Sequence, residues 1–271
     1  MEKVVLITGV SSGIGRATAL RLAGKGYTVY GAARRADTMR GLEGTGIRLI
    51  TMDITDEASI EAGITTIINT EKRIDILVNN AGYGSFGALE DVPMSEARYQ
   101  FEVNVFGMAR LIQLVLPYMR EQGSGKIINI SSIAGKLGQP HGAWYHATKY
   151  AVEGLSDSLR MELRQFKIPV VLIEPGAIQT EWNGIARDKL LQVSGHTAYK
   201  NSVQKHYKMF EKADLSFSSP PDVIAAVIER AVLGQNPKTR YVAGSGAHVL
   251  LFLHSILPDK WFDKLVLSQL K

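Results

Sequence analysis

Cysteine is absent from the chain, which excludes disulfides, thiolate nucleophiles and cysteine-ligated zinc or iron–sulfur centres. The six histidines show none of the spacings, such as H-E-x-x-H, that hold a catalytic metal, so no metal site is expected. Long apolar runs are lacking too, and none approaches the roughly 20 residues needed to cross a bilayer as a helix. The first residues, "MEKVVLITGV", run directly into an apolar segment, so no secretory leader and a soluble, cytoplasmic location are expected. Basic residues exceed acidic ones by a net charge of +5, but they are scattered and form no stripe. That distribution argues against a nucleic-acid partner and suits an anionic small ligand better.

What is present is ordinary globular composition, 45% hydrophobic and 21% charged over 271 residues, with ample material for a core. Short apolar runs at 4–8, 28–32, 48–52, 76–78, 126–130, 170–173 and 240–242 alternate with helical patterns at 15–25, 57–69, 98–121 and 145–166. The runs are continuously apolar rather than alternating, as parallel strands buried on both faces require. Strand–helix–strand alternation implies an α/β fold, a doubly wound parallel sheet of Rossmann type in an αβα sandwich. No linker or repeat interrupts it, so residues 1–271 read as one domain.

Residues 176–219 break that rhythm. They carry no clear strand and scatter Trp182, His196, Tyr199, His206, Tyr207, Met209 and Phe210 over a partly polar background. A long insertion beyond a strand's C-terminal end is where an active-site lid sits; an ordinary surface helix pair is the plainer reading. "SSPPDV" then restarts a helix, with Ser219 as its expected N-cap. The tail, residues 246–271, has an apolar segment and then an amphipathic end. It is suited to covering the sheet, to a subunit contact or to resting on a lipid surface, in that order.

In "VVLITGVSSGIGRATAL" an apolar strand leads into Gly9, Gly13 and Gly15 and then a helix. Such glycines allow a tight turn and close approach of backbone to a pyrophosphate, and the helix N-terminus offers free N–H groups. The spacing Gly-x3-Gly-x-Gly departs from the commoner dinucleotide fingerprint, and a merely structural turn is the alternative. At the end of the second strand an NAD site usually offers a carboxylate to the ribose. This chain offers "YGAARR", whose Arg34 and Arg35 suit a 2′-phosphate, so NADP(H) is favoured over NAD(H).

Four further segments follow in order: "NNAG" at 79–82, "VNVFG" with Asn104, "INISS" ending at Ser132, and "YHATK" from Tyr145 to Lys149. Together with "TGVSSGIG" they resemble the short-chain dehydrogenase/reductase family in its single-domain form, over about residues 3–182. The nearest likeness is to the 17β-hydroxysteroid and retinol dehydrogenase-like branch. The resemblance implies that Gly9, Ser12, Gly13, Ile14 and Gly15 line the pyrophosphate and adenosine side, and that Asp53 and Ile54 contact the adenine. It places Asn80, Ala81 and Gly82 by the ribose, and Pro175, Gly176, Ile178 and Thr180 at the nicotinamide carboxamide. It makes Asn104, Ser132, Tyr145 and Lys149 the catalytic tetrad, and it implies pro-S hydride transfer and a homodimer or homotetramer. Asp53 as a mere turn cap, Asn80 and Asn104 as structural amides, and Ser131 as rival to Ser132 remain the duller readings.

The chemistry of those residue types is consistent with such a tetrad. Tyr145 and Lys149, four apart on a helix, share one face. Bringing a phenol from ~10 to ~7 takes about 4 kcal/mol, which one cation about 4 Å away supplies at an effective dielectric of about 20. Burial opposes this. The cofactor is expected to hydrogen-bond to Lys149 through its ribose, Ser132 to polarise the substrate oxygen and Tyr145 to act as general acid or base. His141 and His146 beside the tyrosine invite a Ser–His hydrolase reading, but no nucleophile elbow accompanies them.

The pocket walls are expected from 84–93, 136–144 and 176–219, with Phe86, Leu89, Val92, Leu137, Trp144 and Trp182 as apolar members. They suit a hydrophobic carbonyl or secondary alcohol. A 3-oxoacyl thioester reductase, with Arg187, Lys189, Lys200, Lys205 and Lys208 as a basic rim, and a non-catalytic NADP-binding regulator are the alternatives.

Overall fold

Seven runs of aliphatic and β-branched residues form seven strands, each a short step from a helix that covers one of its faces. A computed structural model describes residues 2–270, and of residues 213–216 the backbone alone. In chain order the elements are β1 (Val4–Thr8), α1 (Gly13–Ala23), β2 (Thr28–Ala33), β3 (Arg48–Thr51), α2 (Glu57–Glu71) and β4 (Ile76–Asn79). Then come α3 (Met94–Phe101), α4 (Gly107–Glu121), β5 (Lys126–Ile130), α5 (Ala143–Glu162) and β6 (Val170–Pro175). The chain continues through α6 (Glu181–Ser194), α7 (Lys200–Ser216), α8 (Pro221–Leu233), β7 (Arg240–Ala243), α9 (Ala247–Ile256) and α10 (Asp259–Ser268).

The strands lie in the order β3-β2-β1-β4-β5-β6-β7, every neighbouring pair parallel. Successive strand side chains point to opposite faces. Val4 and Leu6 of β1 therefore pack with Ile60 and Ile64 of α2, Leu111 and Val115 of α4 and Val152 of α5. Val5 and Ile7 pack with Leu22 of α1 and with Ile224 and Ile228 of α8. With both faces covered, Val4–Ile7 of β1 are apolar without alternation. Each fully buried aliphatic side chain contributes about 1.5–3 kcal/mol. The result is the doubly wound αβα sandwich that the sequence pattern implies. Among the described residues no helix is long and apolar enough to cross a membrane.

Strand order reverses between β1 and β4, and their C-terminal ends part to open a crevice. At that point Thr8 Oγ1 accepts from the backbone N–H groups of Asn80 and Ala81, at 3.1 and 3.0 Å. The two strand ends are thereby tied together below the site.

Three local expectations need correction. The continuous helix expected over 98–121 is two helices, α3 and α4, joined by a π-helical turn over Glu102–Phe106 in which Gly107 N–H bonds to Glu102 O. Asn104 sits in that turn, and its side chain is bonded outside the helix. Ser219 is not the N-cap of α8; Pro220 is, with proline at the first helical position. Ser219 instead exchanges backbone bonds with Ala177 and Gln179, and its hydroxyl meets that of Ser245 at 2.8 Å. The tail, expected first to cover the sheet, reaches beyond it: α9 lies beside β7, and α9 and α10 wall the mouth of the cleft, with Leu253 and Phe262 inward and Phe252 and Trp261 exposed.

Candidate active site

The phosphate loop is shaped by what its glycines leave out. Gly9 has φ +73° and Gly13 φ +54°, a region that side chains rarely adopt. A Cβ on Gly15 would stand 2.2 Å from Gly9 O, so the loop closes on itself only with hydrogen there. Asn80 Nδ2 donates to Thr8 O and Gly9 O, at 2.9 and 3.2 Å, and clamps the turn from below. Ser12 is the N-cap of α1, yet its hydroxyl makes no capping bond. The first-turn N–H groups of α1 have no intrahelical acceptor and lie at the positive end of the helix dipole. A hydroxyl and several amides at a cleft wall are the donor set an anionic pyrophosphate needs.

Beyond the ends of β2 and β3 the cleft is bordered by Arg34, Arg35, Asp53 and Ile54. Both arginines are exposed, and Arg34 donates to the Tyr99 hydroxyl at 2.7 Å. Asp53 is partly committed: Oδ1 accepts from the N–H and hydroxyl of Thr55, at 2.9 and 2.8 Å. Ile54 is buried, and its carbonyl lies so close to Gly107 that a Cβ there would approach to 2.2 Å.

On the far side, Ser132 follows β5 and Tyr145 and Lys149 lie one turn apart on α5. Burial pushes the Tyr145 phenol up to about 12, against a smaller lowering from the Ser132 hydroxyl beside it. Ser132 Oγ donates to Pro175 O at 3.4 Å and accepts from Ala134 N–H at 3.1 Å. Lys149 is buried; Nζ donates to Ile130 O at 2.9 Å and lies 5.9 Å from the Tyr145 ring centre. Burial lowers this ammonium to about 8, and Glu153, four residues along α5, works in the opposite direction.

Asn104 is not bonded to Lys149 but grips the loop in front of it. Its Oδ1 accepts from Tyr83 N–H at 2.9 Å, and its Nδ2 donates to Tyr83 O and Thr148 Oγ1, at 2.8 and 3.0 Å. Ser131, the rival serine, is buried, and its hydroxyl has no partner among the described residues.

One cleft of about 1750 Å³ contains the phosphate loop, the arginine pair, Ser132, Tyr145 and Lys149. That exceeds the roughly 300–1,000 Å³ of a site for one small ligand, so a dinucleotide and a second molecule fit together. Pro175, Gly176, Ile178 and Thr180 line it between the two halves, with Thr180 Cγ2 3.0 Å from where a Gly13 Cβ would stand. The 176–219 segment forms α6 and α7, which close over Tyr145. Trp182 lies 5.0 Å and Phe86 5.6 Å from the tyrosine ring, centre to centre.

Of the expected pocket members, Phe86, Leu137 and Trp182 line the cleft. Leu89 is exposed, Val92 is buried beside Gly87, and Trp144 stands edge-on against Phe101, so these three do not. Lys189, Lys205 and Lys208 line the cleft, whereas Arg187 and Lys200 do not. His146 is fixed between Ala134 O and Gln139 N–H and points away from proton-transfer duty. Sequence reasoning missed Thr8, Thr148 and Gly84, whose absent side chain seats Trp182. A threonine closing the strand before a glycine loop was the available signal for the first.

The profile of the short chain dehydrogenase family matches residues 3–190. The 3-ketodihydrosphingosine reductase of Bacteroides thetaiotaomicron is 37% identical, covering 95% of this chain and 94% of its own. The NADPH-dependent 3-dehydrocapnine reductase of Ornithobacterium rhinotracheale is 32% identical, with coverages of 99% and 98%. Among solved structures, a short-chain dehydrogenase from Streptomyces avermitilis superposes with a TM-score of 0.81 at 33% identity, covering 99% of this chain and 97% of that one. A metagenomic short-chain oxidoreductase in complex with NADP gives 0.71 at 28% identity, over 89% and 96%. A glycine loop at the switch point of a parallel sheet, a serine–tyrosine–lysine cleft and these full-length likenesses agree: the chain belongs to the short-chain dehydrogenase/reductase family, oxidoreductases built on an NAD(P)-binding Rossmann fold.

Proposed function

We propose that the protein is an NADP(H)-dependent oxidoreductase that interconverts a carbonyl and a secondary alcohol on a hydrophobic small molecule, with Tyr145 as the general acid and base. The observation that carries this reading is Tyr145, set beside Ser132 and enclosed by Phe86 and Trp182 in the cleft that also holds the phosphate loop.

The residues fit the dinucleotide. Ser12 and the α1 amides would hold the pyrophosphate, Arg34 and Arg35 a 2′-phosphate, and Lys149 a ribose hydroxyl. Asp53 keeps one carboxylate oxygen on Thr55, so its adenine contact would use the other. Asn80 acts mainly through the loop it clamps. Bound NADPH would supply the hydride. Ser132 donates toward the carbonyl oxygen as negative charge builds there, a fixed dipole in a largely dry site. Tyr145, protonated at neutral pH, passes its proton to that oxygen and is reprotonated from solvent past Lys149. The high phenol pKa favours the reductive direction, because a donor must hold its proton until the alkoxide forms. The relatives support it as well: two are named reductases, and one is named NADPH-dependent.

A 3-oxoacyl thioester reductase is the second reading, favoured by Lys189, Lys205 and Lys208 on the cleft wall. NADPH oxidation followed with long-chain ketones and with acyl thioesters separates the two. Turnover of neither, with tight NADPH binding, leaves a non-catalytic binding protein instead.

A further inference from the structure

His206 on α7 takes no part in the chemistry above, yet it ends a chain of hydrogen bonds whose direction can be traced. The Ser202 hydroxyl donates to Tyr199 O at 2.9 Å, which commits its only proton. His141 Nε2, 3.1 Å from Ser202 Oγ, therefore carries the hydrogen of that contact. A neutral imidazole has one N–H, so His141 Nδ1 is the bare nitrogen, and the 3.0 Å contact between the two Nδ1 atoms is donated by His206. Burial lowers the pKa of both rings, His206 to about 3, which keeps them neutral. His206 Nε2 is then a buried acceptor without a hydrogen-bond partner among the described residues.

The ring is held in place with some effort. It stacks on Phe210 with 4.5 Å between centres. His141, which orients it, adopts a left-handed backbone with φ 61°, uncommon for a residue with a side chain. Leaving a buried acceptor unmatched costs about 1–3 kcal/mol, so a fixed one on a cleft wall points to a donor that arrives with a ligand. His206 lines the same cleft as Tyr145, and both rings lie against Phe86, at 6.2 and 5.6 Å between centres. Toward the mouth the wall becomes apolar, with Phe217, Leu250, Leu253, Phe262 and Val266.

We propose that His206 Nε2 accepts a hydrogen bond from a hydroxyl or ammonium group carried by the substrate close to its carbonyl. The enzyme thereby selects ketones that bear such a donor at the head of an apolar chain. This rests on the carbonyl-reductase reading of the cleft.

The test compares hydroxymethyl decyl ketone with methyl decyl ketone, by NADPH oxidation, for the wild type, His206→Phe and His206→Gln. One hydrogen bond to a buried acceptor predicts a kcat/KM preference of about ten- to a hundredfold for the hydroxyl-bearing ketone. His206→Phe should bring that ratio close to one, and His206→Gln, which keeps an acceptor, should restore part of it. Equal kcat/KM for the two ketones in the wild type overturns the proposal. So does a His206→Phe loss that strikes both ketones alike and keeps the ratio. If the wild type reduces neither ketone, it is the carbonyl-reductase reading that fails. Their dissociation constants, read from quenching of tryptophan emission, still decide the histidine's role: tighter binding of the hydroxyl-bearing ketone supports it, and equal constants overturn it.

Discussion

Lys149 Nζ donates to the carbonyl of Ile130 and lies 5.9 Å from the centre of the Tyr145 ring. The ammonium is thus pinned by the strand β5 rather than by the phenol beside it. Burial raises the Tyr145 pKa to about 12, so the phenol stays protonated near neutral pH. The simple expectation that a neighbouring cation brings the tyrosine to neutrality does not describe this state. Under the proposed reading the protonated phenol is the proton donor to a nascent alkoxide.

A pH profile follows from these two groups. Lys149 is lowered to about 8, so its charge is present below that pH and is lost as pH rises through it. Tyr145 remains protonated over the same range. For ketone reduction, kcat/KM should be level near neutral pH and fall above about pH 8, since this parameter reports the free enzyme. A profile that stays flat to about pH 10 would separate Lys149 from the rate.

Arg34 borders the cleft beyond β2, exposed, and donates to the Tyr99 hydroxyl. A charge-assisted bond to a 2′-phosphate is worth about 1.5–3 kcal/mol. Arg34→Ala should therefore weaken NADPH binding about ten- to a hundredfold and leave NADH within about threefold, measured by cofactor fluorescence titration. Equal weakening of the two cofactors would refute the NADP assignment.

Asn104 holds Tyr83 by both its N–H and its C=O, and reaches Thr148 besides. Asn104→Ala strips partners from buried polar groups at about 1–3 kcal/mol each. It should lower unfolding free energy in urea by about 2–4 kcal/mol, as well as reducing turnover. A loss below about 1 kcal/mol would mean that the π-helical turn stands without the side chain.

The sheet was legible because its evidence is local: two covered faces make strands continuously apolar, and β1 and β5 begin and end where the sequence puts them. The glycine loop was legible for the same reason, since Gly9, Gly13 and Gly15 are neighbours in sequence. The break at Glu102–Phe106 was not, because Asn104 is held by Tyr83 and Thr148, partners distant along the chain. Nor was the relay through Ser202, His141 and His206, whose middle member comes from a loop before α5 and whose ends come from α7. The role of the tail was hidden likewise: amphipathic helices fit a sheet face or a cleft mouth equally well, and only the fold places Leu253 and Phe262 at the mouth.

The most direct test is Tyr145→Phe, which removes one oxygen and keeps the ring between Phe86 and Trp182. General acid catalysis contributes about 10²–10⁴ in rate. With a ketone that the wild type reduces, turnover should therefore fall by about a thousandfold, while the NADPH dissociation constant stays within about twofold. A variant that keeps turnover within about tenfold of the wild type, with cofactor binding intact, would show that the proton comes from another group.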